Sequence, residues 1–100
     1  MPKEKQEQNQ NPKQEQKEQK EEWSVYLLEC LDGSYYTGIT NDLKKRMATH
    51  KSGKGSKYVL SHGFGQLIAS KKYPNQSEAL KAEYAVKQLS RNNKLAFFIN

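Results

Sequence analysis

The sequence predicts a small α+β domain, with a three-stranded antiparallel sheet flanked by helices in the order β-β-α-β-α and a final short element. Three observations predict this fold. Two strand-like runs, Trp23–Cys30 and Tyr35–Thr40, are rich in aromatic and β-branched residues. An Asp-Gly pair lies between them, which is a strong hairpin signal because both residues tolerate positive φ. Two helical segments then enclose a third apolar run, an order typical of α+β domains.

Residues 1–22 differ in composition from the rest. They contain only Lys, Glu, Gln, Asn and Pro after Met1, so they have almost nothing to bury against the entropy cost of ordering. We therefore predict a disordered, charged and glutamine-rich tail over 1–22 and one folded domain over 23–98. The sequence contains neither the apolar core of a signal peptide nor a membrane-length apolar run. We expect a cytoplasmic protein without membrane contact, in keeping with the single cysteine, Cys30.

Positive charge is concentrated in the predicted domain. The tail carries five Lys and six Glu, whereas the remainder carries twelve basic and five acidic residues. A basic surface of this kind attracts phosphate groups, although it can also serve only to keep a protein soluble. The imbalance makes nucleic acid a candidate partner.

Local patterns give the later elements. Thr40-Asn41-Asp42 supplies an N-cap and a first-turn acid for a helix that runs to about residue 51, and a glycine-rich basic loop follows over 51–57. An apolar Tyr-Val-Leu segment and a turn over 61–65 lead to a third strand over 66–73. A second long helix is predicted from 77 to about 89, and a closing helix or extended segment over 94–99.

The first helix places two polar residues on its apolar side. Arg46 and His50 recur at helical spacing with Leu43 and Met47, so all four share one face. Charged groups are rarely buried without a partner. One alternative is that Arg46 extends its guanidinium to solvent and His50 is a polar residue at the helix end.

The second helix repeats the pattern with an acid. Glu83 lies among apolar residues of its helix, and such a carboxylate needs a cation as partner. That cation is either a metal ion or Arg46 in an ion pair without catalytic role. Tyr26 and Tyr36 lie on the two hairpin strands, where cross-strand pairing brings them together, although ordinary packing also explains such a pair. Gly38 weakens its strand unless a close approach or a bulge requires it.

Together these residues suit phosphodiester cleavage. Such chemistry needs a base to deprotonate water, a cation to stabilise charge on phosphorus, and an acid to hold a divalent metal. One carboxylate is too few for two metals, so a single ion is expected. Mg²⁺ fits, because it retains several waters and often takes one or two carboxylates.

These motifs resemble the GIY-YIG nuclease superfamily. The matching elements are Ser24-Val25-Tyr26, Tyr36-Thr37-Gly38, Arg46 with His50 four residues later, and Glu83 in a downstream helix. The segments VYLLEC, DGS, YTGIT, SGKGSKY and SEAL are closer still to the small stand-alone bacterial members, the YhbQ/YazA-like group. The resemblance covers nearly all of the chain after the tail.

The resemblance implies roles for these residues. Tyr26 and Tyr36 would line the site, with one of them as general base. Arg46 would stabilise the transition state, His50 would bond a phosphate oxygen or a tyrosine, and Glu83 would ligate Mg²⁺ or Mn²⁺. The implied phosphate or strand contacts are Asn41, Lys54 and Lys57.

Two departures from the family pattern affect these expectations. Ser24-Val25 replaces Gly-Ile in the first motif, which keeps the tyrosine. Ile39 stands where a lysine follows the second motif in related excision-repair incision subunits, so the group that activates the tyrosine is not given by resemblance.

The predicted function is therefore a metal-dependent DNA endonuclease acting on single-stranded, branched or damaged DNA. Selectivity would be limited or supplied by a protein partner. The alternatives are a nucleic-acid-binding module that keeps the fold without hydrolysis, and a protein-interaction domain that docks through its tail.

Overall fold

The computed structural model describes residues 22–99, so the predicted disordered tail lies outside the described residues except for Glu22. The described part contains three strands and four helices. They are β1 (Trp23–Cys30), β2 (Tyr35–Thr40), α1 (Leu43–Lys51), α2 (Lys57–His62), β3 (Phe64–Tyr73), α3 (Gln76–Lys87) and α4 (Arg91–Ile99). Within residues 22–99, no helix combines the length and apolar character needed to cross a bilayer.

The strands form one antiparallel sheet in the order β2-β1-β3. The β1–β2 register pairs Tyr26 with Gly38 and Leu28 with Tyr36, so Tyr26, Leu28 and Tyr36 point to the same side. The predicted fold class is confirmed, and the closing segment is a helix rather than an extended strand.

Helix α2 is an addition to the predicted order. Its N-cap Ser56 accepts hydrogen bonds from the backbone N–H groups of Tyr58 and Val59, and Val59 is buried against the sheet. Gly63 ends the helix with a φ of 85°, a conformation that favours glycine. Six residues are too short to give a clear helical period, so the sequence pattern did not reveal this helix.

The sheet carries a different cluster on each side. On one side, here called the α1/α2 face, Tyr26, Leu28 and Val59 pack with partly buried neighbours from α1, β2 and β3, namely Tyr36, Leu43, Met47, Phe64 and Leu67. On the other side, the α3/α4 face, Val25 packs with Ala79 and Ala82. The partly buried residues there are Trp23, Ile39, Tyr73, Phe97 and Phe98. The central strand β1 is therefore buried on both sides.

The start of α1 is fixed by the end of β2. Asp42 is the N-cap, and its carboxylate accepts a hydrogen bond from the backbone N–H of Lys45 at 3.0 Å. The buried Thr40 hydroxyl donates to the Asp42 carbonyl and accepts from the Asp42 N–H. These bonds set the direction in which α1 leaves the sheet, and with it the positions of Arg46 and His50.

Candidate active site

A hydrogen bond between Tyr26 and His50 lies at the centre of the α1/α2 face. The Tyr26 hydroxyl and His50 Nε2 are 2.8 Å apart, and both side chains are buried. Tyr26 comes from the middle of β1 and His50 from the last turn of α1. The expectation that His50 shares the apolar side of its helix is met, since it is 2% exposed.

Burial sets the protonation state of both partners. Desolvation, together with the neighbouring Tyr36, raises the pKa of Tyr26 to about 12, although nearby Arg46 opposes the shift. Desolvation also lowers the pKa of His50, and Arg46 adds to this effect. At neutral pH the pair is therefore a neutral phenol and a neutral imidazole.

The second nitrogen of His50 has no hydrogen-bond partner among residues 22–99. His50 Nδ1 is buried and unpaired, which costs free energy in a protein interior. It lies against Gly55, where a Cβ atom would come within 2.6 Å of Nδ1. Gly55 therefore lets the glycine-rich loop close directly over the imidazole.

Gly38 likewise allows a close approach, in this case by the Tyr26 side chain. A Cβ atom at Gly38 would lie 2.5 Å from the Tyr26 hydroxyl oxygen and 2.7 Å from its ring carbon. The glycine in β2 thus makes room for the Tyr26 side chain across the hairpin. Of the two explanations offered for this glycine, close approach is the one that the geometry supports.

Tyr36 joins the pair, whereas its neighbour Tyr35 does not. The Tyr36 ring lies 6.3 Å from that of Tyr26 and 5.5 Å from that of His50, measured between centroids. Tyr36 is half-buried, in contrast to the fully buried Tyr26. Tyr35 lies under the Arg91 guanidinium of α4 at 3.9 Å. As the alternation of strand side chains predicts, only one of the adjacent tyrosines belongs to this cluster.

A polar cavity of about 340 Å³ adjoins the buried pair. Arg46 and Gly55 line it, and these residues also neighbour Tyr26 and His50 respectively. Its remaining lining comes from the end of β2, α1 and the glycine-rich loop: Thr40, Asn41, Asp42, Lys45, Thr49 and Lys54. Asn41 and Lys54, both predicted contacts, are brought to Arg46, whereas Lys57 begins α2 and is not part of this lining. The cavity is basic and polar, as an anion site requires.

Glu83 affects the cluster through its charge. It lies on α3, which packs on the α3/α4 face, yet its charge contributes to the raised pKa of Tyr26. Its carboxylate is 3.4 Å from the Lys87 ammonium, and its side chain is 19% exposed. An ion pair with Arg46, one of the alternatives considered above, is not found within the described residues.

The available donors suit only a loosely held metal ion. Among residues 22–99, no group of three or more His, Cys, Asp or Glu side chains is arranged to enclose an ion. A single carboxylate such as Glu83 fits a largely hydrated Mg²⁺, which takes few protein ligands. A single carboxylate does not fit an ion whose ligands all come from the protein.

Sequence reasoning missed two parts of this region. Gly55 was predicted only as part of the glycine-rich basic loop, although glycine is the residue that lets a backbone approach another group closely. Tyr58 and His62 were not singled out, although their four-residue spacing places them on one side of a helix.

Ile39, at the position of the family lysine, packs on the apolar α3/α4 face.

Comparisons with known proteins agree with these motifs. The family model described as the GIY-YIG catalytic domain matches residues 22–96. A UPF0213 protein of Cupriavidus pinatubonensis is 49% identical over 76 residues, covering 76% of this chain and 84% of that protein. A UPF0213 protein of Halobacterium salinarum is 45% identical over 74 residues, covering 74% and 96% respectively.

A solved structure is also similar in sequence. The solution NMR structure of the UPF0213 protein BH0048 from Bacillus halodurans is 46% identical, with a TM-score of 0.48, and the match covers 76% of this chain and 81% of that one. The predicted resemblance to small members of the nuclease superfamily is confirmed by the family match and by the identities above 40%. The chain belongs to the GIY-YIG family.

Proposed function

We propose that this protein is a metal-dependent endonuclease that hydrolyses phosphodiester bonds of single-stranded, branched or damaged DNA in the cytoplasm. The observation that carries the proposal is the buried Tyr26–His50 hydrogen bond beside a basic cavity lined by Arg46. Burying these polar groups costs stability, and ordinary packing of the face does not require it. Such costs are typical of sites kept for chemistry.

Exposure separates the two tyrosines in this proposal. A general base must reach the attacking water, and Tyr36 is the one of the two that solvent contacts. The fully buried Tyr26, whose pKa is about 12, holds His50 in place through its hydroxyl. Tyr36 is accordingly the proposed proton acceptor, and Tyr26 and His50 position it through ring contacts at 6.3 and 5.5 Å.

The cavity supplies the groups that bind the phosphate. The Arg46 guanidinium can donate two hydrogen bonds to phosphate oxygens and stabilise the negative charge that accumulates on them during attack. Lys54 and Asn41 line the same cavity and would hold the flanking strand. Lys57, outside this lining, would contact a neighbouring phosphate.

Glu83 is the proposed ligand of one divalent ion, Mg²⁺ or Mn²⁺. When bound, such an ion neutralises charge on the phosphate and the leaving oxygen. The Lys87 ammonium holds the carboxylate in a salt bridge at 3.4 Å, and a metal ion would displace the lysine in order to bind Glu83.

The alternative function is a nucleic-acid-binding module without hydrolysis. The basic cavity is compatible with it, but a partly buried carboxylate that repels phosphate serves no purpose in a simple binder. Sequence selectivity would be limited or would come from a protein partner.

The test is cleavage of labelled single-stranded, duplex and forked DNA with Mg²⁺ or Mn²⁺, by wild type and Glu83→Ala. Two matched controls are available on α3. Glu78→Ala removes an exposed carboxylate paired with Lys81, and Lys87→Ala removes the salt bridge while keeping Glu83. We expect wild type and both controls to cleave, and Glu83→Ala to lose activity while still binding DNA.

Each outcome of this test has a distinct meaning. If every protein retards the DNA and none cleaves it, the binding module is correct. If Lys87→Ala is as inactive as Glu83→Ala, the glutamate acts through its salt bridge rather than through a metal. Cleavage that needs no added divalent ion and persists in chelator would overturn the metal proposal.

A further inference from the structure

A row of aromatic rings leads from the candidate site to the surface. Tyr36 stacks with Tyr58 at 5.8 Å between centroids, with 30° between the ring planes. Tyr58 stacks in turn with His62 at 4.0 Å and 24°. The row therefore begins at the cluster of Tyr26, Tyr36 and His50 and ends on α2.

The outer end of the row is exposed. Tyr58 is 39% exposed, and the His62 side chain is 35% exposed. The buried residue of α2 is Val59, which packs with the core of the α1/α2 face, so anchoring this helix does not depend on the two rings. An exposed pair of stacked rings at this place is unexplained by core packing.

The His62 ring is held in orientation from the hairpin turn. Its Nδ1 is hydrogen-bonded to the Asp32 carboxylate. Hydrogen bonds from the Ser34 hydroxyl and from His62 keep the pKa of Asp32 below its usual range, so the carboxylate stays ionised. One face of His62 is taken by Tyr58, and within the described residues no other aromatic ring stacks on the opposite face.

Positive charge flanks the rings. Lys57 directly precedes Tyr58, and Lys54 lies in the preceding loop, where it lines the cavity beside Arg46. Aromatic side chains next to lysines form the usual surface for unpaired nucleic acid, because bases stack on the rings while the lysines follow the phosphates. A base in a duplex is already stacked on both sides and cannot use such a surface.

We propose that Tyr58 and His62 form a stacking platform for an unpaired nucleobase of the DNA strand that is cut. This inference rests on the proposed function and deepens it, because it names the feature that would favour single-stranded over duplex DNA. The base extends the row beyond His62, and the adjoining phosphates lie toward Lys57, Lys54 and Arg46. Tyr58 and His62 are binding residues here and take no part in proton transfer.

The test is binding in chelator, measured by fluorescence anisotropy with three labelled probes. They are a single-stranded oligonucleotide, the same strand with abasic positions, and the corresponding duplex. The proteins are wild type, Tyr58→Ala, His62→Ala and the control Tyr84→Ala, which removes a tyrosine that is 70% exposed on α3. We expect Tyr58→Ala and His62→Ala to weaken single-strand binding about 5- to 100-fold, with little change for the duplex and none for Tyr84→Ala.

The abasic strand makes the test specific for stacking. Wild type should bind it as weakly as the two variants bind the intact strand, and the variants should not weaken further. If wild type binds intact and abasic strands equally well, or if the variants lose duplex and single-strand affinity alike, the platform proposal is wrong. Tyr58→Phe keeps the ring and should bind like wild type, and an unchanged duplex affinity of Tyr58→Ala shows that this variant is folded.

Failure of this inference is distinguishable from failure of the proposed function. The binding measurements contain no divalent ion and do not depend on cleavage. An active wild type whose platform variants bind normally would overturn the platform and leave the nuclease intact. A wild type that never cleaves but shows the expected stacking loss would overturn the nuclease and leave the platform.

Discussion

The residue clusters on the two sides of the sheet differ in polarity. The α3/α4 face is closed by Val25, Ala79 and Ala82 with Phe97 and Phe98 around them, and this cluster is apolar. The α1/α2 face buries a tyrosine and a histidine joined by a hydrogen bond, and one histidine nitrogen there has no partner in the described part of the chain. Both faces cover the same central strand.

The difference shows where stability and chemistry are located. An apolar cluster gains free energy by removing area from water, and it needs no particular geometry beyond good packing. A buried polar pair contributes little net stability, and it is sensitive to small displacements. Substitutions of the apolar residues on the α3/α4 face should therefore reduce stability, whereas those of the polar pair on the α1/α2 face should reduce activity.

Apart from the tyrosines and Glu83, the largest effect is expected at Arg46. Arg46→Ala removes the guanidinium that lines the cavity, and cleavage should fall by about 10²- to 10³-fold, the usual cost of losing one donor to a transition-state oxyanion. Lys44→Ala, on the same helix but outside the cavity lining, should stay within about twofold of wild type. Single-turnover cleavage rates measure both, and equal losses would mean that general positive charge, not Arg46, matters.

Gly55→Ala and Val86→Ala compare the two faces directly. A methyl group at Gly55 meets His50 at 2.6 Å, so the imidazole must shift, and misplacement of about 1 Å can cost roughly 10²-fold in rate.

Val86 is fully buried on α3, and Val86→Ala should cost about 2 kcal/mol of unfolding free energy with an unchanged cleavage rate. Urea unfolding and cleavage assays on both variants test this, and a reversal of the two patterns would contradict the division between the faces.

The pH dependence of stability should reveal the buried imidazole. The folded state lowers the pKa of His50, so as pH falls below about 6.5 the unfolded chain binds a proton that the folded protein does not. Stability should thus be lost toward acid pH, at most about 1.4 kcal/mol per pH unit from this group. Urea unfolding of wild type and His50→Gln between pH 7.5 and 5.5 isolates the effect. Parallel slopes for the two proteins would show that His50 titrates normally.

Much of the fold could be predicted because its signals are local. The Asp-Gly turn gave the hairpin, and Asn41 and Asp42 gave the start of α1 within a residue. Arg46 and His50 could be assigned to the apolar side of α1 from spacing alone, and His50 is indeed buried. These features depend on residues close together in the chain.

The missed features depend on contacts between distant segments. The packing of α2 on the sheet determines two of these contacts. It brings Gly55 against His50, and it brings His62 within hydrogen-bond distance of Asp32, which lies 30 positions earlier in the chain. The placement of Glu83 is a similar case, because helical periodicity gives a side chain's direction on its helix but not the face of the sheet that the helix covers. Helical spacing could show that the Glu83 carboxylate lies among apolar residues, but it could not show which cation pairs with it.

Two adjacent tyrosines of β2 distinguish the chemistry of the two faces of the sheet. Tyr36 and Tyr35 point to opposite faces, and replacement of either by Phe keeps the ring and removes only the hydroxyl. In a single-turnover cleavage assay on single-stranded DNA, we expect Tyr36→Phe to lose about 10²- to 10⁴-fold in rate, the usual contribution of a general base. Tyr35→Phe should remain within about twofold of wild type. Full activity in Tyr36→Phe, or an equal loss in both variants, would contradict the assignment of chemistry to the α1/α2 face.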